Sequence, residues 1–201
     1  VKVPTPDGGT LFIATHPEVY VPSDDTLLLA RAVHAEARPG QAFLEVGCGA
    51  GYVALVAARA GARVTGTDLN PHAVEVARHN ARENGLRATF VAADLLAGLA
   101  GPFDLVAFNP PYLPTAPDEV VPGPLNLAFD GGLDGNGTVL RFAGQLGALR
   151  PRPATVLVVH SSLSDPRPLA DAMAALGYSM DVAISERLAF EELTVRRFRL
   201  A

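Results

Sequence analysis

Short apolar runs rich in valine, leucine and phenylalanine alternate along this chain with stretches whose apolar positions recur every three to four residues. The first pattern suits strands buried on both faces of a sheet, and the second suits helices laid against it. Five runs predict strands over 42–46, 63–67, 88–92, 103–108 and 155–160. The Ala-rich stretch from Tyr52 to just before Gly61 predicts a helix with Val53, Val56 and Ala57 on one face. A second helix is bounded by its own signals, with Asn70 as cap, Pro71 at its first position and Gly85 just past its end. Further helices are expected over 137–149 and 165–176, and the closing runs 180–187 and 193–200 are near enough in sequence to pair as an antiparallel hairpin. Such alternation specifies βαβ units around a parallel, doubly wound sheet. The Pro- and Gly-rich connection 113–136 is long for a compact fold, and loops of that length usually have a functional role.

Composition narrows the class. At 201 residues and 49% hydrophobic, the chain is expected to form one domain, 1–201, with a sizeable core and no room for a second catalytic domain. No run approaches the ~18 apolar residues of a membrane span, and Val1-Lys2-Val3-Pro4 does not open a signal peptide. A cytoplasmic location away from membranes is therefore expected. One cysteine, Cys48, excludes an internal disulfide, and with five scattered histidines it gives no zinc spacing, so no metal is expected. The net charge of -5 weakens the case for indiscriminate nucleic-acid binding.

Candidate chemistry collects at the carboxyl ends of the predicted strands, where open α/β sheets place their ligands. Glu45-Val46-Gly47-Cys48-Gly49-Ala50-Gly51 follows the first strand and opens the first helix. Its G-x-G-x-G spacing puts Tyr52 where a dinucleotide fingerprint needs glycine, which favours a nucleoside without pyrophosphate, namely S-adenosylmethionine. Asp68, about 20 residues on, stands where a carboxylate commonly accepts from ribose hydroxyls. Asp94, after the third strand, could accept from an adenine amino group. Asn109-Pro110-Pro111-Tyr112 closes the fourth. The Asn109 side-chain oxygen and the Pro110 carbonyl offer two acceptors for a planar –NH2 group, and Tyr112 can stack on whatever carries it. Taken singly, each aspartate would suit a solvated turn and the glycine loop a helix-packing turn. Convergence on one sheet edge sets them apart.

With these motifs the chain resembles the class I S-adenosylmethionine-dependent methyltransferases, and the Asn-Pro-Pro-Tyr tetrad is similar to that of the amino-group methyltransferases. Tyr20-Val21-Pro22-Ser23-Asp24-Asp25-Thr26-Leu27-Leu28-Leu29 and Gly131-Gly132-Leu133-Asp134-Gly135 resemble segments of the short HemK-like enzymes of eukaryotes and archaea, which methylate the glutamine of the Gly-Gly-Gln motif in peptide-chain release factors. The resemblance implies a Rossmann-like α/β fold: a mostly parallel seven-stranded sheet with helices on both faces and an antiparallel C-terminal hairpin. It implies that Thr26, Glu45, Gly47, Gly49, Asp68, Leu69, Asp94, Leu95 and Asn109 contact S-adenosylmethionine or frame its pocket. Asn109, Pro110 and Tyr112 would be the catalytic residues. It further implies a release-factor substrate and a small zinc-binding activator subunit on the edge near 88–92. The long bacterial form has an N-terminal helical domain that grips the release factor, and nothing of that kind is expected before Lys2.

Two other readings stay open. The tetrad alone does not separate an amide from an exocyclic amino group of DNA or RNA, although acidic charge and short length favour protein. A methyltransferase fold kept only as a binding subunit is disfavoured by the intact Glu45, Asp68, Asp94 and Asn109. Cys48 is expected to be structural, His160 to be a strand-end histidine facing water, 134–137 to be a glycine turn, and Arg196, Arg197 and Arg199 to form a solvated basic face.

Overall fold

The computed structural model describes residues 1–115, 123, 125 and 128–201. Part of the long 113–136 connection therefore lies outside the described residues.

Among the described residues, nine strands and five helices follow in the order β1 (Lys2–Pro4), β2 (Thr10–Phe12), α1 (Asp24–Glu36), β3 (Ala42–Val46), α2 (Tyr52–Arg59), β4 (Arg63–Asp68), α3 (Pro71–Glu83), β5 (Ala88–Ala92), β6 (Leu105–Phe108), α4 (Gly137–Leu146), β7 (Thr155–Ser161), α5 (Arg167–Ala175), β8 (Tyr178–Arg187) and β9 (Glu192–Leu200). Seven strands form one sheet in the order β5-β4-β3-β6-β7-β9-β8. The first five are parallel, while β9 runs antiparallel to both β7 and β8. The C-terminal hairpin thus forms as expected.

Every residue of β3 is buried, because helices cover both faces of the sheet. Its side chains alternate between two cores. Phe43 packs with α1, α2 and α3, whereas Leu44 and Val46 pack with Phe142 of α4 and Met173 of α5. From β3 the chain winds outward through β4 to β5, then crosses back to lay β6 on the other side of β3. The β3/β6 boundary is the topological switch point, where a crevice opens above the strand ends.

Some boundaries move. β6 begins at Leu105 rather than 103, and Asp104 before it joins Ala42 both ways, its amide donating to the Ala42 carbonyl at 2.8 Å and its carboxylate accepting from the Ala42 amide at 2.7 Å. α4 stops at Leu146, and α5 starts at Arg167 because the Asp165 carboxylate accepts from the Arg167 amide at 3.0 Å in a local turn. The periodicity reading had no helix over 24–36 and no strands before residue 42. The two-stranded β1/β2 ribbon is held from afar by α3. Asn80, fully buried, accepts from the Ala14 amide at 2.8 Å and donates to the Ala14 and Ala50 carbonyls, and Asn84 makes the same pair of bonds with Phe12. Two asparagines four apart on one helix face therefore act as a strand edge for the incoming chain. They set the course of residues 14–22 across the sheet's carboxyl edge.

Candidate active site

Register aligns the strand ends. Val46 pairs with Thr67 on one side and with Phe108 on the other, so Gly47, Asp68 and Asn109 emerge side by side. They line a cavity of about 410 Å³, as do Thr26, Glu45, Gly49, Leu69, Asp94 and Leu95. All nine residues expected at the cofactor thus share one cavity wall. Asn109 and Pro111 of the tetrad also line it, whereas Pro110 is buried outside the lining and the Tyr112 hydroxyl is turned to Asp25.

The glycine loop turns through the left-handed region at Gly47 (φ 64°), Gly49 (φ 50°) and Gly51 (φ 82°), which L side chains avoid. Gly51 has a further constraint, because a Cβ there would come within 2.9 Å of the Ala77 Cβ. The third glycine therefore packs α2 against α3, while the first two leave backbone open to the cavity. Asp68 organises this loop: one carboxylate oxygen accepts from the Gly49 amide and the other from the Asn70 amide, both at 2.8 Å. Glu45 is only 4% exposed and accepts from the Ala54 amide at 2.7 Å. Burial pushes both carboxyls above their ordinary range, against the pull of those amides. Asn70 caps α3 through the His72 amide as expected, and also donates to the Glu18 carbonyl at 2.7 Å, fastening the incoming segment to the cavity rim.

On the far rim, Leu95 is the non-glycine residue with positive φ (57°) among those described, a conformation that costs about 1–3 kcal/mol and tends to persist at functional sites. Its carbonyl accepts from the Thr67 hydroxyl at 3.0 Å. Asp94 is ion-paired with Arg141 of α4. Leu69, 53% exposed, offers an apolar surface beside Asp68. The cavity is acidic: Glu18, Glu45, Asp68, Asp94 and Asp130 line it, and among the described lining residues only Arg141 is basic.

The tetrad is braced from two sides. The Leu113 amide donates to the Phe129 carbonyl, and Gly131 and Thr115 tie 129–132 to the end of the tetrad. A Cβ on Gly131 would meet the Pro111 carbonyl oxygen at 2.8 Å, and one on Gly135 would strike the Tyr112 carbonyl. The glycine turn at 134–137 is thus a close-packed buttress, with the Asp134 carboxylate accepting from the Asn136 amide.

The other brace was missed. Asp25, in the first turn of α1 and 5% exposed, receives the Asn109 Nδ2 at 3.0 Å and the hydroxyls of Tyr112 at 3.2 Å and Tyr20 at 3.1 Å. The Thr26 amide (2.6 Å) and hydroxyl (3.1 Å) also donate to it. Burial and the neighbouring carboxylate push both phenols above the ordinary tyrosine range, so they stay protonated donors. The Asn109 Oδ1 is left buried with no partner among the described residues. Asp25 and Asn109 lie 84 positions apart, and only the placement of α1 beside β6 joins them.

Two expectations need correction. His160 is buried, not water-facing, because β7 continues to Ser161 between β6 and β9. The Ser164 hydroxyl lies 3.3 Å from its Nε2, and burial lowers its pKa. The arginines of β9 are not a freely solvated face. Arg197 bridges Asp181 and Glu36 at 2.7 Å each, Arg199 joins Asp181, and Arg196 is half-buried with no partner for its Nε among the described residues. Cys48 is buried with its thiol pushed well up, which suits a structural residue. His16, Glu18 and His72 gather at the rim, although sequence scatters them. The two rings stack with centroids 4.6 Å apart and planes 17° from parallel, the His16 Nδ1 accepts from the Glu18 amide at 3.2 Å, and the His72 Nε2 lies 3.2 Å from the Glu18 carboxylate.

A doubly wound sheet with a cavity over its switch point, walled by strand-end carboxylates and by an asparagine whose oxygen has no partner among the described residues, is the architecture of class I methyltransferases. The chain belongs to the methyltransferase small domain family, which it matches over residues 11–120. It is 36% identical over 181 residues to a Methanocaldococcus jannaschii protein provisionally named a protein N5-glutamine methyltransferase, covering 90% of this chain and 91% of that one. It is 35% identical over 210 residues to the Mus musculus methyltransferase HEMK2, covering 98% and 97%. Among solved structures it superposes on a chain of the E. cuniculi Mtq2–Trm112 complex, which is responsible for methylating the eRF1 translation termination factor. The TM-score is 0.73 at 23% identity, over 92% of this chain and 99% of that one.

Proposed function

We propose that this chain transfers the methyl group of S-adenosylmethionine to the side-chain amide of a protein glutamine, in the Gly-Gly-Gln motif of a release factor. The observation that supports it best is the Asn109 Oδ1, a buried acceptor with no partner among the described residues, at the wall of a cavity that fits a cationic nucleoside. A buried acceptor left unpaired costs about 1–3 kcal/mol, so a ligand N–H is its natural complement. The relatives named for glutamine and termination-factor methylation give the substrate.

When bound, S-adenosylmethionine supplies an electrophilic methyl on a sulfonium. Asp68 would hold the ribose hydroxyls, Asp94 the adenine amino group and Leu69 and Leu95 the adenine faces, with Gly47 and Gly49 giving close backbone approach and Thr26 and Glu45 closing the inner wall. An amide nitrogen is a weak nucleophile because its lone pair is conjugated with the carbonyl. The Asn109 oxygen at the cavity wall accepts one of its N–H bonds, holding the nitrogen in line and stabilising the positive charge that develops on it, and the Pro110 carbonyl, which lies behind the lining, would have to come forward to accept the other. The Tyr112 ring, anchored through its hydroxyl, stacks on the amide. No tuned general base is needed before transfer.

The net charge of -5 and the relative named for glutamine methylation favour protein over nucleic acid. A small zinc-binding activator would cover β5, which ends the sheet with one side unpaired by any described strand. The test is transfer of labelled methyl to a class I release factor and to the same factor with its Gly-Gly-Gln glutamine replaced, with and without a zinc-binding partner. Label on the intact factor alone is expected. Equal label on both overturns the glutamine assignment.

A further inference from the structure

We infer that Asp25 is the residue that fixes which way the Asn109 amide faces, and so decides that an acceptor rather than a donor meets the substrate nitrogen. The inference rests on the proposed amide chemistry at Asn109. Five donor groups converge on the Asp25 carboxylate, from Tyr20, the Thr26 amide and hydroxyl, Asn109 and Tyr112. A carboxylate only accepts, so the side chain of Asn109 must turn its NH2 toward Asp25. Its oxygen is thereby turned away and left with no partner among the described residues. The reversed amide would set an oxygen against the Asp25 carboxylate and an N–H against the N–H of the target. Both contacts are repulsive. Asp25 lines up with none of the catalytic groups in sequence and is itself absent from the cavity wall, so it acts through Asn109 as a positioning residue. The same carboxylate anchors the Tyr112 hydroxyl, which couples the aromatic face and the acceptor to one point on α1.

Exchanging the two side chains tests this. In Asp25→Asn, residue 25 can donate as well as accept, and the Asn109 amide is no longer held one way. In Asn109→Asp, two carboxylates face each other. In the double variant Asp25→Asn/Asn109→Asp the amide at 25 donates to a carboxylate at 109, whose second oxygen again faces the target. We expect each single variant to lose about 100-fold in kcat. Affinity for S-adenosylmethionine, measured by calorimetry, should stay near wild type in Asp25→Asn. The double variant should regain about tenfold over either single one, a recovery that a merely structural role for Asp25 does not produce. Should Asp25→Asn melt early, the double variant decides alone. Wild-type kcat in Asp25→Asn, or a double variant no better than the singles, overturns the inference. Wild-type enzyme run on intact release factor separates the two levels: label there with an equally fast Asp25→Asn removes the positioning role only, whereas no label removes the glutamine reading and this role with it.

Discussion

At the scale of single residues, the site is a set of buried polar groups held in one orientation each. Replacing Asn109 by alanine removes the acceptor without touching the Asp68 side of the cavity. The expected result is a fall in kcat of about 100-fold or more with cofactor affinity reduced only modestly, read by separate kinetic and calorimetric measurements. Glu45 behaves differently. Burial raises its carboxyl pKa in the folded chain, so the fold gains stability as pH falls through that raised value, and the gain is complete below the unfolded value near 4.5. Glu45→Gln keeps an oxygen for the Ala54 amide and discards the charge. Its cofactor-free form should therefore melt higher than wild type at neutral pH, with the difference closing toward pH 4.5, and should bind S-adenosylmethionine more weakly. An unchanged melting temperature at neutral pH would mean that the Glu45 charge carries no cost in the fold.

Among the elements, what sequence reveals and what it hides divide along contact distance. The run from β3 through α2, β4, α3 and β5 was legible because each boundary has a local cause: unbroken apolar strands, glycines at positive φ, and an Asn-Pro start to α3. The four strand-end positions 47, 68, 94 and 109 were legible for the same reason. Asp25 was not, since nothing in its neighbourhood tells that α1 abuts β6. The β1/β2 ribbon and residues 14–22 escaped too, because Asn80 and Asn84, 66 and 72 positions away, supply the hydrogen bonds that a sheet would otherwise provide. Asn80→Ala strands the Ala14 amide and two carbonyls and should cost about 2–3 kcal/mol in chemical denaturation. Gly135→Ala brings a Cβ onto the Tyr112 carbonyl at φ 73°, so kcat should fall sharply because the tetrad must shift. Wild-type turnover in that variant would show that the buttress is dispensable.

For the whole molecule, two features govern what it meets. The chain carries a net charge of -5, so added RNA or duplex DNA should not compete with a protein substrate even at low salt. No helix among the described residues is long and apolar enough to cross a membrane. At the β5 edge, the Arg78 guanidinium already donates to the Phe90 carbonyl at 3.0 Å. A partner strand added there must displace it, so Arg78→Ala should strengthen binding of the proposed activator. The central claim, amide methylation positioned by Asn109, is tested most directly by tandem mass spectrometry of a release factor after reaction with wild-type enzyme and S-adenosylmethionine. The account predicts one added methyl, on the side-chain nitrogen of the Gly-Gly-Gln glutamine, absent when Asn109→Ala enzyme is used. A methyl on any other residue, or the same product from Asn109→Ala, would contradict it.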